Sequence, residues 1–255
     1  MVRRSPPHRP PPCRTTLERT LMRVEIWSDI ACPWCYIGKA RFEEGLAAFA
    51  HRDQVEVVYR SFELDPGRAK GEVAPVVDML AAKYGRTPAE ALAMEEHVAS
   101  VAHGEGLAYR VEGRVHGSTF DIHRLLHLAR ERGRQEALLD LAYRANFAEE
   151  RSVYDPEVLV RIAVEAGLDE AEARAVLADE TAYADQVRAD EREAAELGAT
   201  GVPFFVFDRR YGVSGGQPAE VFTQALEQAW KGRALQPVAA ADPAPACDAD
   251  GACAV

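Results

Sequence analysis

The chain has 255 residues, long enough for one large domain or a domain with an insertion, and its 47% hydrophobic and 28% charged content is that of an ordinary globular protein. A formal net charge of -11 excludes nonspecific attraction to nucleic acid or anionic membrane, since both depend on clustered Lys and Arg. Five cysteines, at 13, 32, 35, 247 and 253, crowd toward the two ends and do not make a secreted disulfide scaffold.

Residues 1–22 read as a disordered tail, rich in Pro and carrying Arg3, Arg4, Arg9, Arg14 and Arg19. The tail has no apolar h-region, so it does not read as a Sec signal, and Arg3-Arg4 lacks the apolar segment that would follow a twin-Arg pair. No apolar run is long enough to span a bilayer. A cytoplasmic location and no membrane partner are the expectations.

Arg23 to Ile30 predicts a strand, Pro33 to about His51 an amphipathic helix, and Val55 to Phe62 a second strand ending at the turn Asp65-Pro66-Gly67. Residues 23–73 therefore form a βαβ unit. From 74 to 197 the sequence turns rich in Ala, Leu, Glu and Arg at helical spacing, with Gly and Pro breaks, and predicts five or six helices. Strand pattern returns at Pro203 to Phe207 and again at Val213 to Gly216, before a last helix to about Trp230, so residues 198–235 read as ββα. Residues 236–255 lack periodicity and read as a flexible tail. Joined in one mixed sheet, the two units give an α/β thioredoxin fold with a large all-helical insertion between its halves.

Cys32-Pro33-Trp34-Cys35 stands where the first strand meets the first helix. One turn of helix brings positions i and i+3 onto the same side, so the two sulfurs can approach bonding distance. Cys32 faces the helix start, where unpaired N–H groups favour a thiolate, which makes it the predicted nucleophile. Pro33 suits the first turn, having no N–H to leave unsatisfied. The spacing also fits a zinc knuckle, but structural zinc wants four ligands, and Cys247 and Cys253 are more widely spaced than a knuckle. Two inert core thiols are the plain alternative. The dithiol reading is preferred, with no metal.

Gly201-Val202-Pro203-Phe204 puts a proline at the head of a strand. A trans proline at a sheet edge is the ordinary reading. Beside a dithiol and a ββα unit, the segment suggests a cis Val202-Pro203 bond opposite Cys32, with the backbone of Val202 free to pair with an extended substrate.

The runs Trp27 to Lys39, Gly198 to Val206 and Val213 to Pro218, with the helical block between them, resemble the DsbA-like thioredoxin family, in particular its FrnE-type branch. The resemblance spans roughly Met22 to Trp230. It implies thiol-disulfide oxidoreductase or isomerase activity without a bound cofactor, with Cys32 attacking, Cys35 resolving and Pro203 as the cis-proline. It also implies a thiol- or disulfide-containing protein or small-molecule substrate, and a cellular reductant or oxidant for recycling. The related 2-hydroxychromene-2-carboxylate isomerases and kappa-class glutathione transferases work with glutathione but typically carry Ser where Cys32 stands and lack the second thiol, so this chain departs from them at the deciding position, and glutathione as co-substrate is the alternative. Periplasmic DsbA proteins carry His where this chain has Trp34. An indole brings no cationic charge, so the couple should be less oxidising, at roughly −120 to −270 mV.

FrnE-type proteins resemble this chain in having a second C-terminal cysteine pair, which makes Cys247 and Cys253 a candidate shuttle; incidental thiols are the other reading. Ser118 or Thr119 is expected to cap a helix bearing His123 and His127 at i, i+4, a spacing that fits metal binding but reads better as packing. In the glutathione-using relatives this region borders the active site, so His123 is a substrate-groove candidate. Asp29 is expected to cap the active-site helix or its loop, with proton transfer as the sharper alternative. Trp34, Phe204 and Phe205 would give a substrate-facing or supporting apolar surface.

Overall fold

The computed structural model describes residues 21–149 and 151–233. Strand β1 (Met22–Ser28) lies between a parallel β2 (Val55–Ser61) and an antiparallel β5 (Phe204–Phe207), with β6 (Tyr211–Ser214) on the far side of β5. Met22, assigned above to the tail, is the first residue of β1 and is fully buried. Helices α1 (Pro33–Ala48) and α9 (Ala219–Lys231) pack side by side on the sheet. Gly45 permits their contact: a Cβ there would lie 2.6 Å from the Ala219 carbonyl oxygen.

β1 is buried on both faces, and its alternation divides the core in two. Met22, Val24 and Ile26 join the main core with Phe42, Phe205 and Phe222. Trp27 turns the other way, packing with Ala194 and Val206. Its indole Nε1 donates to the Asp190 carbonyl oxygen at 2.7 Å, which seats α8 (Ala184–Glu196) against the sheet. The carboxylate of Asp190 extends the joint, accepting from Arg60 at 3.0 Å and from the Ser61 N–H at 2.9 Å.

Between β2 and β5 the described residues hold seven helices, not five or six. They are α2 (Val76–Tyr84), α3 (Pro88–Gly104), α4 (Phe120–Glu131), α5 (Gln135–Phe147), α6 (Pro156–Glu165), α7 (Glu170–Ala178) and α8. Local signals start several of them: Thr87 and Glu90 form a capping box on α3, while the Asp155 and Asp169 side chains cap α6 and α7. The block is not wholly helical. β3 (Ala74–Pro75) pairs antiparallel with β4 (Val115–His116), a ladder too short to leave a strand period in the sequence. Helix α1 stops at Ala48 instead of about His51, because Phe49 takes an extended conformation and buries its ring against Trp230. Among the described residues no helix is long and apolar enough to cross a membrane.

Candidate active site

Cys32 is the N-cap residue of α1 and Pro33 opens its first turn. The Cys32 carbonyl accepts the Cys35 N–H at 3.1 Å and the Tyr36 N–H at 3.4 Å, so the helix begins at the thiol pair itself. Both thiols are free. The Val202–Pro203 peptide bond is cis, and Sγ of Cys32 lies 3.6 Å from the Val202 carbonyl oxygen. The prolyl loop can come this close because Gly38 faces it: a Cβ at Gly38 would lie 3.0 Å from Cγ of Pro203 and 3.2 Å from Cα of Gly216.

The two sulfurs have different surroundings. Cys32, Pro33, Trp34 and Val202 line a cavity of about 300 Å³ whose opposite wall comes from the insertion, notably Met79, Leu80, Met94 and Val98. Trp34 is 37% exposed at this cavity; Cys32 is 4% and Cys35 2% exposed, and of the two cysteines only Cys32 lines it. Burial pushes the Cys35 thiol well above its ordinary value, and the hydrogen bond and charge of Cys32 push it further, while a hydrogen bond from the Asp29 backbone opposes them and the Asp29 charge adds a smaller upward push. Cys35 is held as a protonated thiol.

Asp29 does not cap α1, since no side chain makes a cap bond there. It organises the preceding loop instead. Oδ1 accepts the Ala31 N–H at 3.3 Å, Oδ2 accepts the Leu64 N–H at 2.8 Å, and the Asp29 carbonyl accepts the Cys32 N–H at 3.1 Å. His123 does not line the cavity. Its ring is 1% exposed, with Nε2 at 3.3 Å from Oδ1 of Asp29. Burial pushes Asp29 up and His123 down, but their mutual hydrogen bond and charge outweigh burial, leaving Asp29 below and His123 above their ordinary values. Thr119 is the N-cap residue of α4 but makes no cap bond with its side chain. His127 Nε2 contacts Ser61 Oγ at 3.2 Å and Asp190 Oδ2 at 3.3 Å, and among the described residues it belongs to no group of three or more metal-ligating side chains. Phe205 is fully buried among Phe42 and Phe222, and Phe204 packs beside Trp27, so both support the sheet rather than face a substrate.

Residues that the sequence reading missed also reach the site. His116 lines the cavity with Nε2 at 3.4 Å from Asp65, and burial lowers its pKa. Arg114 and Glu95, a buried ion pair, line it too. Asn146 donates to the Ile30 carbonyl at 2.8 Å, gripping the active-site loop from α5. Only the helical breaks hinted at them. Among the described residues no group of three or more His, Cys, Asp or Glu is placed to hold a metal. A second cavity, about 250 Å³, contains Arg68, Asp121, Arg124 and Arg188, reaches neither thiol and has its cations paired with carboxylates. Cys247 and Cys253 lie outside the described residues.

A four-stranded mixed sheet carrying a thiol pair at a helix start, interrupted by a helical block before a cis-prolyl loop, defines the thioredoxin class. Residues 23–227 match the model of the DSBA-like thioredoxin domain, and the chain belongs to that family. A crystal structure named a probable DsbA oxidoreductase, from Streptomyces coelicolor, is 69% identical with a TM-score of 0.82, over 92% of this chain and 99% of that one. The uncharacterized protein YwbO of Bacillus subtilis is 27% identical over 82% of this chain and 98% of its own length. The cytosolic disulfide reductase DsbM of Pseudomonas aeruginosa, solved with GSH, shares the fold at 18% identity and a TM-score of 0.58, over 82% of this chain and 99% of that one. The FrnE-type branch anticipated from the motifs agrees with these relatives.

Proposed function

We propose that the protein is a thiol-disulfide oxidoreductase in which Cys32 attacks and Cys35 resolves. The observation that carries the reading is that, of two buried cysteines, only Cys32 lines the cavity, with its Sγ against the Val202 carbonyl oxygen. The Cys32 thiolate attacks one sulfur of a substrate disulfide; that S–S bond breaks, a mixed disulfide forms, and the other substrate sulfur leaves as a thiolate and takes up a proton. Cys35 then gives up its proton and attacks the Cys32 sulfur. The Cys32–Cys35 disulfide forms and the second substrate thiol departs, so the substrate gains two electrons and the protein loses them. A cellular thiol reductant resets the pair, and an oxidant drives the same steps in reverse. The backbone of Val202 is the edge along which an extended substrate segment pairs.

Cytoplasmic action belongs to this reading, and it is supported by the fold shared with a disulfide reductase named as cytosolic. The test is insulin-disulfide reduction by the wild type and by Cys32→Ser. Loss of activity in the variant supports the reading, and an inactive wild type overturns it.

A glutathione-dependent small-molecule isomerase or transferase is the second reading, favoured by the cavity of about 300 Å³ at Cys32. Glutathione-dependent turnover retained in Cys32→Ser would decide for it. The zinc-module alternative has no supporting ligand cluster among the described residues.

A further inference from the structure

Arg41 takes no part in the exchange steps above, yet it holds the frame of both walls of the cavity at Cys32. It stands on α1, where its Nη1 donates to the Gly216 carbonyl oxygen at 2.7 Å and its Nε to Oε1 of Glu105 at 2.7 Å. The side chains of Arg41 and Glu105 are 19% and 23% exposed, so little water screens the pair.

Each contact leads to one wall. Gly216 belongs to the turn after β6, whose Gly215 N–H binds the Pro203 carbonyl oxygen at 2.8 Å, and Pro203 follows Val202, the residue against Sγ of Cys32. That turn rests on α1, since a Cβ at Gly216 would lie 3.2 Å from the Trp34 carbonyl oxygen. Glu105 is the C-cap residue of α3, the helix that carries Met94 and Val98 in the opposite wall. Helix α5 has its own ties to α1, because Lys39 pairs with Asp140 at 2.5 Å and Tyr36 stacks on Phe147. For α3, Arg41 to Glu105 is the ion pair that reaches α1 among the described residues. A guanidinium presents its donors in fixed directions within one plane, so a single Arg can serve two acceptors and fix the angle between them.

We propose that Arg41 is a positioning residue that sets the width of the gap between the Val202 edge and the α3 wall, and so decides what size of reactant reaches Cys32. Held at that width, the gap admits an extended segment or a small molecule and turns away a disulfide embedded in a folded surface. That the reactants are disulfides rests on the exchange reading. Arg41 touches neither sulfur, so its loss changes which reagents reach Cys32 and leaves the chemistry of the thiol alone.

The test uses the full chain with Cys35→Ser, in which the tryptic peptide Val24 to Lys39 carries Cys32 as its only cysteine. Alkylation of that peptide by iodoacetamide, a small reagent, and by fluorescein maleimide, a bulky one, is timed by mass spectrometry. Arg41→Met should raise the maleimide rate relative to the iodoacetamide rate about tenfold, the scale of a lost hydrogen bond to a charged group. Glu105→Ala, which frees α3 but leaves Arg41 on Gly216, should move the ratio in the same direction. The double variant should go no further than Arg41→Met alone. Asp190→Ala loosens α8 away from the cavity and is the control for a merely structural effect, with a ratio that should stay at the parent's. An unmoved ratio in Arg41→Met or Glu105→Ala, a further shift in the double variant, or an equal shift in Asp190→Ala overturns the proposal. Circular dichroism checks the fold; if Arg41→Met does not fold, Glu105→Ala read against the same control decides. Insulin reduction by the wild type is measured alongside. Its absence would overturn the exchange reading while the alkylation ratio still judges Arg41, whereas its presence with an unmoved ratio would overturn the role of Arg41 alone.

Discussion

Sγ of Cys32 lies 3.6 Å from the carbonyl oxygen of Val202, two residues that are 170 positions apart in the chain. That contact joins the helix that carries the thiol pair to the loop that precedes β5. Under the proposed exchange, a substrate sulfur approaching Cys32 would meet the Val202 backbone at the same place.

Because Cys32 lines the cavity and Cys35, its thiol pushed well above its ordinary pKa, does not, the two cysteines should fail differently when substituted. Cys32→Ser should abolish insulin reduction. Cys35→Ser should still attack but not resolve, and should accumulate a mixed disulfide with its substrate that runs as a reducible higher-mass band on a nonreducing gel. Equal inactivity of both variants, with no adduct in either, would contradict the assigned roles.

Trp34→His should make the couple more oxidising. A cationic ring in the half-exposed position of Trp34 favours the thiolate of the reduced form. Equilibration against glutathione should show the potential rising by about 30 mV or more, the equivalent of a tenfold change in the exchange constant. An unchanged or more negative potential would refute the electrostatic account of Trp34.

Gly45→Ala should destabilise the fold while leaving the site chemistry in place. The new Cβ would meet the Ala219 carbonyl oxygen at 2.6 Å and Cβ of Phe222 at 3.0 Å, so backbone must move. Overpacking of this kind costs about 1–3 kcal/mol, more than the roughly 1 kcal/mol that Ala gains over Gly in a helix. Chemical denaturation should show the midpoint falling, and a rise would contradict the close contact of α1 and α9.

Asp190→Ala should cost about 1–3 kcal/mol, since it leaves the buried Ser61 N–H without its acceptor and takes one partner from His127 and from Arg60, which keeps Glu25. The same carboxyl gives a pH signature. Burial raises it, but hydrogen bonds from His127 and Ser61 and the Arg60 charge hold it below its ordinary value. A carboxyl depressed in the folded state contributes stability above its unfolded pKa of about 3.9 and loses it as pH falls through the lower folded value. Asp29 acts with the same sign. The melting temperature should therefore fall below about pH 4, and Asp190→Asn should flatten that fall. His123 has the opposite sign. Raised in the folded state, it contributes stability that is complete below its ordinary pKa of 6.5 and is lost as pH rises through the folded value.

The βαβ and ββα units and the helical character of the block between them could be read from the chain because their causes are local. Alternation in Val24 to Trp27, Pro33 in a first turn, Thr87 with Glu90, and Asp155 or Asp169 before a helix each act over a few residues. The thiol pair was legible for the same reason, its spacing being one helical turn. The β3–β4 ladder was not, because two-residue strands leave no period, and the early end of α1 was not, because it depends on Trp230 reaching Phe49.

The amino-acid sequence alone therefore determined the order of the βαβ and ββα units around a helical block and the position of the dithiol at a helix start, short-range consequences of backbone and spacing, whereas the approach of the prolyl loop to Cys32 spans 170 positions. Only the tertiary structure decided that Asp29 would meet His123 across 94 positions and that Asp190 would join Arg60 across 130. It also decided that Met79, Leu80, His116 and Arg114 would wall the cavity at Cys32. Such pairings follow from how the insertion packs on the sheet, and burial then turns each meeting of charges into a strong one, because little water remains to screen it.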